Sequence, residues 1–197
     1  MGLTCRDIVT IFERVRNIPF KFAPHHDAET LLQRGFGTCA PKHALLALLY
    51  QRLGIETRFV YVSFRFEEMP GEFPHDLRPL LYDGIVRGHT ALQLKLNGRW
   101  IDVDATFDQP LKAAGFVVTE AWDGCSSMPL VVKPLTRVES VEGPDHDVVH
   151  AAHLDVELML APWAGLERPC RGTIMPPDAQ HPAPWPWPES SELEWAR

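Results

Sequence analysis

Long apolar runs are missing from this sequence. No stretch reaches the roughly 18 apolar residues that a membrane-crossing helix needs. The opening segment, MGLTCRDIVTIFERVRNIPF, lacks the charged start and unbroken apolar run of a secretory leader. Arg6 stands where a myristoylation signal calls for Ser or Thr. Positive charge is scarce too. Lys and Arg number 19 against 26 Asp and Glu, a formal net charge of -7, which argues against the basic face of a nucleic-acid binder. Neither nucleic acid nor membrane is an expected partner. Cysteine occurs four times, at 5, 39, 125 and 170. The spacing matches no zinc site and the density no disulfide scaffold. Free thiols in a reducing, cytoplasmic setting are therefore expected. No internal repeat is present.

What the sequence does have is enough apolar material, 45% of 197 residues, to bury the core of one domain. Residues 4–16 carry Ile8, Val9, Ile11, Phe12 and Val15 at helical spacing, with Thr4 and Asp7 placed to cap the start. Pro19 and Pro24 predict an extended loop over 17–28, followed by a short helical turn over 28–33. Cys39 to Leu53 is apolar almost all round, as a buried helix is. Pro41 lies in its first turn, and Gly54 stops it. Residues 56–66 read as a strand, rich in Val, Phe, Tyr and Thr. A long loop is expected over 67–87. Strands over 89–96 and 99–107 are joined by Asn97-Gly98, a strong hairpin signal. Short strands are expected at 116–119 and 129–132, and residues 144–160 suit either a helix or a last strand. The domain is expected to span 1–165. Residues 166–197, with PAPWPWP, read as an extended or disordered tail.

The chemistry centres on Cys39. A cysteine reacts as thiolate, and a helix N-terminus or nearby imidazolium favours that form. Cys39 opens the buried helix, at the positive end of its dipole. Gly35 and Gly37 beside it are expected to leave room for a substrate backbone. With a two-residue turn at Asn97-Gly98, opposed residue numbers sum to 195, so His89 faces Thr106. Asp104 and Asp108 are then both diagonal neighbours of His89 on one face, and the register does not choose between them. Leu92, Leu94 and Leu96 take the other face, against the helix. A thiol with an adjacent base, and an orienting carboxylate behind the base, form a nucleophilic constellation. The Cys39 N–H and Gln33, six residues earlier, are candidate oxyanion donors.

These residues resemble the core of the transglutaminase-like superfamily. The resemblance lies in Gly37-Thr38-Cys39, Leu53-Gly54-Ile55, His89, and Trp100 with Asp104-Ala105-Thr106. It covers roughly residues 15–110. It implies an α+β, papain-like fold, with N-terminal helices and a cysteine-bearing helix packed on an antiparallel sheet. It chooses Asp104 over Asp108, giving Cys39, His89 and Asp104 as the catalytic set. The implied activity is cysteine-dependent acyl transfer or amide hydrolysis (peptidase, amidase or transamidase) through a thioester, on a peptide, protein or small amide. No cofactor is called for. Ala40-Pro41 departs from the bulky residue the family often has after its cysteine, and the calcium loops of animal transglutaminases are missing.

Two alternatives carry different functions. An arylamine N-acetyltransferase shares the Cys-His-Asp order, but the chain is short for that family and lacks its Arg-Gly-Gly-x-Cys run. A catalytically silent peptide-binding protein would keep the groove without turnover. His146, His150 and His153 would share one face of a helix, but they are expected to be surface residues rather than a metal site. Trp100 is expected to pack under the hairpin. The 67–87 loop is expected to rim the cleft.

Overall fold

The structure is a computed structural model that describes residues 3–21, 27–71 and 85–143. The His146, His150 and His153 triplet, the reading of 144–160, the tail from 166 and the centre of the 67–87 loop lie outside the described residues.

Three helices come first. Helix α1, Cys5–Arg16, starts at Thr4 in a reciprocal cap. The Asp7 N–H donates to Thr4 Oγ1 at 3.3 Å, and the Thr4 N–H donates to Asp7 Oδ2 at 2.8 Å. Its apolar stripe, Ile8, Ile11, Phe12 and Val15, is fully buried. Helix α2, Ala28–Arg34, is capped by Asp27, which accepts from the Thr30 N–H. Helix α3, Cys39–Arg52, has no side-chain cap. It is held by packing instead: Leu45, Leu46, Leu49 and Tyr50 are buried among α1, α2 and the sheet.

Among the described residues the sheet has four antiparallel strands in the order β3-β2-β1-β4. They are β1 (Thr57–Arg65), β2 (Ile85–Leu96), β3 (Arg99–Val103) and β4 (Pro134–Ser140). The β2–β3 hairpin has the register expected from its turn, with Leu96 paired to Arg99 and Leu92 to Val103. Asn97 and Gly98 both take positive φ, 50° and 77°, as a tight twisted hairpin turn requires. Leu92, Leu94 and Leu96 face the helices in the main core. Val60, Val62 and Ala91 face the other way, under Phe107, Phe116, Val131 and Val132.

Three expectations need correction, and one strand was not expected. β3 ends at Val103, not Phe107, because residues 104–106 turn their polar groups to α3 and to one another. Residues 116–119 and 129–132 form no strand. Phe116, Val131 and Val132 are buried as loop residues on the second cluster, which gives an apolar signal without a ladder. β4 went unrecognised because it is an edge strand with almost every side chain exposed, so it has no alternation to read. Finally, the cysteines are not all free. Cys5 and Cys125, 120 positions apart in sequence, are joined by a disulfide with a Cα–Cα separation of 6.0 Å. Spacing along the chain carries no information about that proximity. Among the described residues Cys39 is the free cysteine.

Candidate active site

The site lies where β3 parts from β2. A bulge sits in β2 just before the histidine: Val62 pairs with His89, but Ser63 pairs with Arg87, so Gly88 is the extra residue. Gly88 has φ +111°, and a side chain there would meet nothing within 4 Å. The bulge therefore re-aims His89 and leaves open space beside it. His89 itself is buried, packed edge-on against Phe64.

His89 Nε2 and Asp104 Oδ2 are 2.9 Å apart. The diagonal relation expected from the register thus becomes a direct contact. Asp108 accepts from the Phe20 N–H at 2.6 Å, so of the two aspartates it is Asp104 that meets the imidazole. Asp104 is buried and fully engaged. Besides His89, Oδ2 accepts from the Val131 N–H at 3.0 Å. Oδ1 accepts from Thr106 Oγ1 at 2.6 Å and from the Thr106 N–H at 3.2 Å. Burial pushes its pKa up, but the charge and hydrogen bond of His89 outweigh that, with help from His43 and Thr106, and hold it well below the usual carboxylate range.

The second ring nitrogen of His89 is left for sulfur. The Cys39 thiol, half-buried at the first position of α3, is hydrogen-bonded to His89 and to the Thr90 backbone. Thr90 lies beyond the end of the β3 pairing, so its N–H is free to meet the sulfur. Burial acts to raise the Cys39 pKa; the hydrogen bond and charge of His89, with the Thr90 N–H, overcome it and bring it below the ordinary value. For His89, burial acts downward, while Asp104 and then Cys39 raise the pKa to about 10. The imidazolium and thiolate forms favour each other, as in an activated nucleophile.

Gln33 is not brought into this chain of contacts. It lies exposed near the end of α2, where Nε2 donates to Glu29. Gly37 does not open the site to substrate either. It is buried and close-packed, and a Cβ there would lie 2.8 Å from Leu31. Trp100 faces the outer side of the sheet, with Arg58 and Lys95 over its ring.

Two buried residues of α3 were missed in the sequence, Lys42 and His43. Lys42 Nζ donates to the carbonyls of Arg16, Ile18 and Thr106 at 2.8, 2.9 and 2.7 Å. Three acceptors match the three N–H groups of an ammonium. Burial lowers its pKa to about 7, against the pull of Asp108 and Asp104. His43 bridges α3 to Ala105. The signal was available: these are polar residues inside an otherwise apolar helix, three and four positions after Cys39 and so on its face.

An α-helix carrying a thiol at its mouth, set against an antiparallel sheet that carries a histidine, with an aspartate just past the end of β3, defines a papain-like fold. The sequence profile of the transglutaminase-like superfamily matches residues 5–105, and the chain belongs to that superfamily. That membership supports cysteine-based acyl transfer or hydrolysis at the level of the family. Among solved structures, the chain is similar to one described as "a Putative Cysteine Protease from Cytophaga hutchinsonii". Identity is 19% and the TM-score 0.38, over 55% of this chain and 34% of that one. The chain thus spans about a third of that structure's length. No curated protein matches the sequence.

Proposed function

We propose that the protein is a cysteine-dependent acyl-transfer enzyme acting on an amide, with Cys39 as nucleophile, His89 as general base and acid, and Asp104 as the group that orients His89. The observation that carries this is the continuous hydrogen-bonded line from the Asp104 carboxylate through His89 to the Cys39 thiol.

In this reading the Cys39 thiolate attacks the amide carbonyl carbon and forms a C–S bond. The carbonyl oxygen becomes an oxyanion facing the Cys39 N–H, one of the unpaired donors at the start of α3. Gln33 joins as a second donor only if it leaves Glu29. The imidazolium of His89 gives its proton to the departing nitrogen, the C–N bond breaks and a thioester remains. Water or an amine then attacks the thioester, His89 takes the incoming proton, and the thiolate leaves. Asp104 holds the tautomer throughout. The residues themselves supply nucleophile, base and oxyanion donor, so the steps call for no cofactor. The substrate class is a peptide, protein or small amide.

No helix among the described residues is long and apolar enough to cross a membrane. The cytoplasmic location was expected from the lack of a leader and of a long apolar run, with free thiols expected beside it. The Cys5–Cys125 bond runs against the free thiols, since disulfides persist mainly in oxidising compartments.

Trapping the acyl-enzyme tests the reading. Incubation with a library of activated esters and peptide amides, followed by intact-mass analysis, is expected to show one acyl group on Cys39 that turns over with water or amine. Cys39→Ser is expected to abolish it. Transfer confined to acetyl-CoA and arylamines would support the N-acetyltransferase alternative. Peptide binding with no adduct on any donor would point to a silent binding protein.

A further inference from the structure

Where β3 leaves the sheet, the first turn of α3 supplies the partners that the ladder no longer gives. The Thr90 N–H meets the Cys39 sulfur. The Thr106 carbonyl takes Lys42 Nζ. The Ala105 N–H, on a fully buried residue, donates to His43 Nε2 at 2.9 Å. His43 is held from its other side as well: Nδ1 lies 2.8 Å from the Cys39 carbonyl oxygen. A peptide N–H can only donate and a carbonyl can only accept. Nε2 must therefore carry the lone pair and Nδ1 the hydrogen. The two backbone groups fix His43 as a neutral imidazole of one tautomer, with no exposed surface.

We propose that His43 is a positioning residue of the acyl-transfer centre, a two-ended bridge that sets the thiol-bearing helix against the carboxylate that orients His89. One end grips the carbonyl of Cys39 itself. The other grips the peptide that joins Asp104 to Ala105. Each anchor is thus within one peptide unit of a reacting or orienting side chain. Neutrality matters to the device. A proton on Nε2 would set N–H against N–H at Ala105 and place a cation 3.7 Å from Asp104 Oδ1, where it would compete with His89 for the same charge. The ionisable groups facing His43 are Asp104, which favours its protonation, and His89 and Lys42, which oppose it; burial opposes it most and its pKa falls to about 4.

The inference rests on the triad reading, and its test separates the two. A bridge that merely satisfied the Ala105 N–H would affect stability and leave the thiol's titration alone. The rate of Cys39 alkylation by iodoacetamide is to be measured against pH, beside thermal unfolding. The proteins are the wild type, His43→Ala, His43→Gln and Leu46→Ala, the last a core control on the same helix. The bridge predicts that His43→Ala raises the alkylation midpoint by about one pH unit or more, so that the rate below that midpoint falls about tenfold. His43→Gln, whose carbonyl can still accept from the Ala105 N–H, recovers part of the shift. Leu46→Ala lowers the melting temperature and leaves the midpoint in place. If His43→Ala does not fold, the Gln variant against wild type decides. The proposal is overturned if the His43 variants melt earlier but keep the wild-type midpoint. A wild-type midpoint at about 8.5, the unperturbed thiol value, would instead remove the triad reading and this one with it.

Discussion

At the scale of single residues, Asp104 is the most connected group of the site. Its two oxygens accept from His89, Val131 and twice from Thr106. Asp104→Asn keeps the shape but loses the charge that steadies an imidazolium. Turnover is expected to fall on the order of 10⁴-fold, as when a triad aspartate is amidated, with the protein still folded by circular dichroism. Asp104→Ala is expected also to destabilise by about 3–5 kcal/mol, because it strands buried donors and His89 together; urea unfolding measures this. His43 adds a pH dependence of stability. Its folded pKa of about 4 lies below the ordinary value of 6.5. The unfolded chain therefore binds more protons in that interval, and stability falls as pH drops from 6.5 to 4, by up to about 1.4 kcal/mol per pH unit. On the alkaline side two groups oppose each other. His89, raised to about 10, loses its contribution as pH climbs from 6.5 to 10. Lys42, lowered to about 7, makes the folded state relatively more stable over the range from 7 to 10.5. The acid limb is thus the clearer one, and His43→Gln is expected to flatten it in melting curves taken across pH.

At the scale of elements, the site is made where α3 and the β2–β3 hairpin meet. Leu46, fully buried in α3, packs in the main core with the sheet's Leu92 and Leu94. Leu46→Ala is expected to cost about 2–5 kcal/mol, read as a lower urea midpoint with an unchanged slope. Gly88→Ala acts differently. Its φ of +111° is strained for any side chain, although nothing blocks the space. Relief of that strain re-aims His89, so Cys39 alkylation is expected to slow by more than the loss of stability explains. The same elements show what was legible in the sequence. The α1 cap, the apolar α3 and the Asn97-Gly98 turn are local signals, and each appeared where its spacing put it. The turn even gave the register that sets His89 diagonal to Asp104. The early end of β3, the bulge at Gly88 and the edge strand β4 were not legible. Each depends on a partner distant in sequence: α3 for β3, the register of β1 for Gly88, and the ladder itself for β4. Lys42 and His43 were legible in kind, as charge and imidazole within a buried helix, but their partners at 16, 18, 105 and 106 were not.

At the scale of the whole molecule, the loop over residues 121–132 ties the N-terminal helix to the site. Cys125 is bonded to Cys5 at the start of α1. A few residues on, Ser127 Oγ accepts from the Asp102 N–H, Met128 Sδ accepts from the Asp104 N–H, and the Val131 N–H donates to the Asp104 carboxylate. The disulfide thus closes a long loop that encloses all three proposed catalytic residues. Its loss is expected to cost about 2–5 kcal/mol, mainly by freeing the unfolded chain. Melting of the Cys5→Ser/Cys125→Ser variant measures that, with Cys39 untouched. Outside the site, the sheet's outer face is stitched by a bidentate Arg137–Asp102 pair, with Gln93 and Arg58 beside it. Those groups satisfy one another and compete for nothing at the site.

The most direct measurement is the ultraviolet absorbance of the Cys39 thiolate as a function of pH, taken as wild type minus Cys39→Ser. Thiolate is expected already below neutrality, and His89→Ala is expected to displace it to ordinary thiol titration. A wild-type thiol that ionises only near its unperturbed value, with or without His89, would contradict the triad reading.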